Sequence, residues 1–303
     1  MSTQTMKLFL IIIMTALLNA CTSGPQPSPV APQNLRAETD DLAMVSDTAL
    51  QLADRHGRDR VLVVFDIDNT LLAMEQGLGS DQWYYWQKDL AAGDPCSTLR
   101  VQDLLKAQGA LFYASAMRPT QPDAALQVRR LQDAGLTVIA LTSRGPEFGL
   151  QTFRELRRNG ISFWPSALPP ARGFPARFIP EGGKREALYQ EGVFLTAGQH
   201  KGAMLKALLD KTGAASPAVI VLADDKAENL QLMMETFKGS GTAVHAWRYS
   251  REDANVAALD RQQAAAQWEA VEPALMTIEQ VFGPDNFDLP EPMVREGCEA
   301  ANP

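Results

Sequence analysis

Three short stretches of this chain carry carboxylates, hydroxyls and cations at spacings suited to metal or phosphate chemistry. Asp66 and Asp68 follow the apolar run Val61–Phe65, with Thr70 two residues further on. Side chains on a strand alternate between faces, so aspartates at i and i+2 begin on one side, roughly 6–7 Å apart. Carboxylates held that close at the end of an apolar strand repel each other and resist desolvation. A divalent cation would offset that cost. Magnesium suits the task, because it takes one or two carboxylates and leaves places for water and phosphate oxygens. The plainer reading is a strand ending in a solvated acidic turn, where Asp and Asn are common.

Other segments favour the first reading. The apolar run Leu136–Leu141 delivers Thr142, Ser143 and Arg144. Lys201 opens a helical stretch, where its ammonium and the free backbone N–H groups could both face an anion. Ala218–Leu222 leads into Asp224 and Asp225, with Asn229 four residues beyond. Four aspartates at neighbouring strand ends would repel by several kcal/mol per close pair, on the order of a Coulomb estimate at low effective dielectric. One Mg²⁺ and Lys201 together make such a cluster tolerable and receptive to phosphate.

Lesser candidates have two readings each. Arg144 either contacts phosphate or substrate, or pairs with Glu147 or another acid. The run Trp83-Tyr84-Tyr85-Trp86 either offers a flat group a stacking partner, with Trp83 as the possible substrate contact, or packs a helix. His56, His200 and His245 lack metal-ligand spacing, and Ser143 and Cys96 lack a triad pattern.

The elements that must position these groups alternate between apolar runs and helical patterns, which signifies an α/β fold with a Rossmann-like, doubly wound parallel sheet. Strands are expected at Val61–Phe65, Leu136–Leu141, Ala218–Leu222 and Ala243–Tyr249, with a short one at Ile161–Trp164. Helices are expected over 121–134, from Pro146 to Arg158, over 201–211, and from the 218–222 strand through Phe237. Residues 73–118 and 165–198 interrupt the alternation. Both leave from the carboxyl side of strands, where ligands bind in open α/β sheets, and both read as caps over a site. The end of the second, Ala187–Thr196, reads as a hairpin. Beyond residue 250 the sequence is alanine-rich and helical, and carries no evident chemistry.

In order and spacing, Asp66-x-Asp68-x-Thr70, Thr142, Lys201 and Asp224-Asp225 with Asn229 resemble the haloacid dehalogenase superfamily. More narrowly they resemble its phosphatases, since most members with an aspartate two residues after the nucleophile transfer phosphoryl groups. The resemblance covers about residues 60–250, including both places where that superfamily inserts caps. The stretch Leu78–Trp83 is also similar to an uncharacterised bacterial branch of the superfamily, which assigns no substrate.

The resemblance implies a magnesium-dependent phosphohydrolase of small phosphomonoesters. Asp66 would attack phosphorus and form an aspartyl-phosphate. Asp68 would protonate the leaving oxygen and then deprotonate water, a task that calls for a pKa raised by a neighbouring carboxylate and partial burial. In the superfamily the equivalent of Asp68 also lends its backbone carbonyl to the metal, whose shell Asp66, Asp224 and Asp225 would complete. Thr142 and Lys201 would hold the transferring phosphate. A phosphotransferase would share Asp66. A binding lipoprotein without turnover would not need the whole set.

The 303 residues are 46% hydrophobic and 21% charged, enough for a sizeable core, and the formal charge of −8 argues against a nucleic-acid binder. Lys7 precedes the apolar run Leu8–Leu18, the length of a signal-peptide core. The following Leu18-Asn19-Ala20-Cys21 resembles a bacterial lipobox. That resemblance implies removal of residues 1–20, lipid on Cys21, and, with Thr22 next, an anchor at the periplasmic face of the outer membrane. An ordinary secretory leader cleaved nearby is the alternative. Residues 21–42, with prolines at 25, 27, 29 and 32, read as an extended tether, and 43–303 as the domain. Cys96 and Cys298 could pair in an oxidising compartment, but sequence alone sets no distance between them.

Overall fold

The computed structural model describes residues 32–94 and 97–282. The expected leader at 1–20, the lipidation candidate Cys21, the tether as far as residue 31, and Cys96 and Cys298 lie outside those residues. The described chain opens with strand β1 (Leu35–Thr39), helix α1 (Leu42–His56) and strand β2 (Val61–Phe65). A two-stranded ribbon, β3 (Leu72–Met74) and β4 (Met117–Pro119), brackets helices α2 (Asp81–Gly93) and α3 (Leu104–Ala114). Helix α4 (Ala124–Asp133) leads to β5 (Thr137–Thr142). Helix α5 (Gly149–Arg158) then precedes the hairpin β6 (Leu188–Gln190) and β7 (Val193–Leu195). The alternation continues through α6 (Lys201–Thr212), β8 (Val219–Asp224), α7 (Ala227–Thr236) and β9 (Ala243–Tyr249). Helices α8 (Asp253–Ala257) and α9 (Arg261–Phe282) follow.

Seven strands form one sheet in the order β1-β9-β8-β2-β5-β7-β6, parallel throughout except for the β6–β7 pair. This is the Rossmann-like α/β architecture expected from the alternation. Every residue of β2 and β8 is buried, as a strand covered on both faces requires. Alternate residues serve opposite faces. Val61, Val63 and Phe65 join a core with Leu42, Val45 and Leu52 of α1, Val128 of α4 and Leu156 of α5. Leu62 and Val64 join another with Leu205 and Leu208 of α6 and Leu230 of α7. Each fully buried Val, Leu or Phe contributes roughly 1.5–3 kcal/mol, so these faces fix the strand register.

Strand β2 lies between β5, the next sheet strand in the chain, and β8, which comes much later. Strand order therefore reverses at β2. In open α/β sheets a reversal leaves a crevice beyond the carboxyl ends of the strands, and ligands bind there.

The structure departs from the sequence reading in several places. Residues 35–39, expected to be tether, form the edge strand β1, paired parallel with β9 from Leu35↔His245 to Thr39↔Tyr249. The domain thus begins before residue 43. No strand forms at 161–164. Ile161 and Phe163 are buried, but the chain there is irregular and ends in a 3-10 turn, Trp164–Ser166, where Pro165 lacks a ladder donor. The insertion at 165–198 is only partly a cap, because its hairpin joins the main sheet through β7 and β5. Helix α9, read as featureless, walls the first insertion. Its Ala264, Trp268 and Leu275 pack with Leu78, Trp83, Trp86 and Leu111 in a third apolar cluster.

Candidate active site

Asp66 is the residue after β2, and its N–H donates to the Ala223 carbonyl of β8 at 2.9 Å. Thr142 is the last residue of β5 and Asp224 the last of β8. Since β8, β2 and β5 are neighbours, these residues lie along one edge of the sheet. The chain then turns sharply: the N–H groups of Thr70, Leu71 and Leu72 all donate to the Ile67 carbonyl, at 3.3, 3.0 and 2.9 Å. Asn69 takes the left-handed conformation (φ 56°), which Asn tolerates better than most residues. The Thr70 hydroxyl is buried without a hydrogen-bond partner.

Lys201 lies at the centre. Its Nζ is 2.8 Å from Asp66 Oδ1 and 2.6 Å from Asp224 Oδ2, and the side chain is 1% exposed. The first turn of α6 brings it there. His200 caps the helix, its Nδ1 accepting from the Ala203 N–H at 3.2 Å. Gly202 lets α6 approach α7, since a Cβ at that position would run into Thr236 and the Leu232 carbonyl. The other oxygen of Asp224 accepts from the Lys226 N–H at 2.9 Å and from Asn229 Nδ2 at 2.8 Å. Burial alone would lower the Lys201 ammonium, but Asp224 and Asp66 outweigh it and hold it above its ordinary value.

The carboxylates are forced the other way. Burial, reinforced by Asp224 and Asp68, pushes Asp66 up to about 7 against the pull of Lys201. Burial and the charges of Asp66 and Asp224 push Asp225 up to about 9. One oxygen from each of Asp66, Asp224 and Asp225 lies within 4.8 Å of the others. Asp225 Oδ1 is buried and has no hydrogen-bond partner. A donor set made only of carboxylate oxygen, one of it unspent, fits a hard divalent cation. Fully ionised, Asp66, Asp68, Asp81, Asp224 and Asp225 would exceed Lys201, Lys226 and Arg144 by two negative charges, which a divalent cation would balance.

Asp68 does something other than the sequence suggested. Its carboxylate turns to Arg144, whose Nη2 and Nε donate to Oδ1 and Oδ2 at 2.6 and 2.8 Å. Both oxygens accept, so the pair is two-pronged and fixed in orientation. Arg144 therefore pairs with the expected acid and base, and not with Glu147. Its guanidinium also donates to Thr152 Oγ1 at 2.9 Å and lies 4.2 Å over the Phe112 ring. Thr142 Oγ1 accepts the Arg144 N–H at 3.2 Å, leaving its own hydroxyl hydrogen to donate.

Trp83 needs correction as a substrate contact. It is fully buried, 6.3 Å from the Trp268 ring, and turned into the cap's own apolar cluster. Helical spacing explains the outcome: Trp83 and Trp86 share the inner face of α2, while Tyr85 is 38% exposed. Sequence reasoning also passed over Asp81 and Lys226. Lys226 Nζ lies 2.9 Å from Asp81 Oδ2 and 3.8 Å above the Tyr85 ring. The signals were available, since Lys226 follows the acidic pair directly and Ser80-Asp81 reads as a helix start.

Fold and site together define an α/β protein with an acidic, cation-competent centre at the switch point of its sheet and a helical insertion packed beside it. The chain belongs to the family described as "Protein of unknown function (DUF2608)", which matches residues 39–280. That span runs from the end of β1 into α9, so it takes in sheet, site and cap. No curated protein and no solved structure matches the chain.

Proposed function

We propose that this protein is a divalent-cation-dependent phosphohydrolase of small phosphomonoesters, of the haloacid dehalogenase type, with Asp66 as nucleophile. The observation that carries this reading is the bridge from Lys201 to Asp66 and Asp224, beside an Asp225 oxygen without a partner. Such an arrangement holds one carboxylate ready for an electrophile, with an unpartnered Asp225 oxygen beside it for a cation. Asp66, Asp224 and Asp225 would hold that ion, and magnesium is the proposed occupant. When bound, it would supply positive charge against the phosphoryl oxygens.

The remaining chemistry belongs to the chain. An Asp66 oxygen forms a bond to phosphorus while the bond to the leaving oxygen breaks, giving an aspartyl-phosphate. Lys201 supports the ionised form of Asp66 in a site whose burial opposes it, and balances phosphoryl charge as it moves. The Thr142 hydroxyl, which keeps its hydrogen to donate, would bind a phosphoryl oxygen. Water then cleaves the aspartyl-phosphate, and Asp68 takes its proton. As paired, Asp68 suits this base step. Protonating a leaving alkoxide requires that Arg144 let go, whereas a stable leaving anion such as p-nitrophenolate needs no proton.

Hydrolysis of p-nitrophenyl phosphate by the purified protein tests the reading. Release should require Mg²⁺, stop with chelator, and fall at least about a thousandfold in Asp66→Asn, as expected for loss of a nucleophile. Equal release by both proteins would defeat it. With an added alcohol acceptor, a phosphorylated alcohol in place of inorganic phosphate would identify a phosphotransferase instead. The expected lipid on Cys21 and the outer-membrane position are part of the same proposal, tested by mass measurement of the mature amino terminus.

A further inference from the structure

One glutamine holds a cation at the rim of the crevice. After β7 the chain runs beside the segment that follows β5. The Thr196 N–H and hydroxyl both donate to the Thr142 carbonyl, at 3.0 and 2.8 Å. The Ala197 N–H donates to the Arg144 carbonyl and the Gly198 N–H to the Ser143 carbonyl, at 3.0 and 2.7 Å. Gln199 comes next, just ahead of His200 and Lys201. Its Oε1 accepts from the Lys184 and Arg185 N–H groups, at 2.7 and 3.1 Å. Its Nε2 donates to the Arg185 and Thr196 carbonyls, at 3.0 and 2.8 Å. A Cβ on Gly183 would stand 2.9 Å from that Oε1 and 3.0 Å from the Pro180 carbonyl oxygen, so a side chain there would disturb the seat.

The base of the same turn is fixed as well. Phe178 and Ala187 exchange N–H to carbonyl bonds across it, and the Phe178 ring stacks on Phe194 of β7 at 6.0 Å. Arg185 is thus carried by backbone held on both sides, with Nη1 3.7 Å from where a Cβ on Gly198 would stand. Its side chain is exposed and, among the described residues, forms no ion pair and no hydrogen bond. Holding the backbone in place leaves less freedom to lose when that guanidinium meets an anion. In the proposed reaction the phosphoryl group has Thr142 and Lys201 as partners, so a cation beyond them serves what the phosphate is attached to. We propose that Arg185 binds a second anionic group on the leaving part of the substrate, a carboxylate or another phosphate, to which a guanidinium offers two parallel N–H donors. The proposal rests on the phosphohydrolase reading and narrows it to phosphomonoesters of acidic alcohols.

Competition against p-nitrophenyl phosphate in the presence of Mg²⁺ tests this, because it reads binding even of esters that turn over slowly. The competitors 2-phosphoglycerate and glycerol 2-phosphate differ only by a carboxylate in place of a hydroxymethyl group. The wild type should bind the first at least about tenfold more tightly, within reach of a two-pronged contact between charges. Propane-1,3-diol bisphosphate against its monophosphate asks the same of a second phosphate, and the pair with the larger ratio names the anion. In Arg185→Gln the preference should fall to about twofold or less, the residue that exposed charges leave. Arg185→Lys should keep part of it, and Lys184→Gln, which removes the neighbouring charge, all of it. Each ratio is taken within one protein, so a general change in activity drops out. A wild type that hydrolyses p-nitrophenyl phosphate but binds both members of each pair alike overturns the proposal alone. So does a preference that survives Arg185→Gln, or one that Lys184→Gln lowers equally. A wild type without Mg²⁺-dependent release overturns the phosphohydrolase reading and the proposal with it.

Discussion

Arg144 grips both carboxylate oxygens of Asp68, at 2.6 and 2.8 Å, and so fixes the orientation of the proposed acid and base. The pair is worth more than a surface contact, because Arg144 is nearly buried and also bonded to Thr152. Both Asp68 oxygens are turned to the guanidinium, so the pair must open before Asp68 can reach a leaving oxygen.

Leaving-group dependence follows from that pairing. The wild type should favour p-nitrophenyl phosphate strongly over a simple alkyl phosphate such as glycerol 2-phosphate. In Arg144→Met, Asp68 is free to turn toward the leaving oxygen, so the ratio of the two kcat values should shrink by about tenfold, part of the range for one acid–base group. Absolute rates fall in both cases, since Asp68 loses its orientation. A ratio that stays the same or grows would show that Arg144 does not restrain the acid step.

Stability should depend on pH through the same carboxylates. Asp66, raised to about 7 mainly by burial, and Asp225, raised to about 9 mainly by burial, bind protons more tightly folded than unfolded, where both titrate near 3.8. Their contribution is therefore full below about pH 4 and is lost as pH rises through 7 and 9. In chelator the melting temperature should fall between pH 5 and pH 9. Mg²⁺ should restore it, and by more at pH 8 than at pH 5, because the ion binds the ionised carboxylates. At roughly 2–4 °C per kcal/mol for a chain of this size, the difference is within reach of ordinary melts. A Mg²⁺ shift that is equal at both pH values would contradict the proposed ligands.

What sequence made legible, and what it did not, divides along physical lines. The strand at Val61–Phe65 is a continuous apolar run and the one at Ala243–Tyr249 an apolar run interrupted by His245 and Arg248, and both form over those residues. Asp66, Thr142, Asp224 and Asp225 sit at or just past the ends of strands and Lys201 at the start of a helix, so placing the elements placed the residues. Strand β1 was hidden because Leu35–Thr39 is an edge strand with mostly exposed side chains, whose pairing with β9 is made by backbone. The partner of Asp68 was hidden for another reason. A pairing across 76 positions depends on tertiary approach, and no local spacing encodes it. Ile161–Trp164 erred in the opposite sense, since burial there comes from side chains of an irregular segment plugging the core.

The cap should fail separately from the sheet. Trp83 is fully buried against Trp268 of α9, in a cluster that shares no member with either core flanking β2. Trp268→Ala would leave a hole beside Trp83, and such truncations cost about 3–5 kcal/mol where neighbours cannot collapse. Because that loss falls on α2, α3 and α9, their amides should exchange faster while those of β2 and β8 keep wild-type protection. Trp268→Phe should recover most of the protection, as it refills part of the volume. Uniform loss of protection across sheet and cap would mean that α9 holds the whole domain together, and that the cap has no stability of its own to lose.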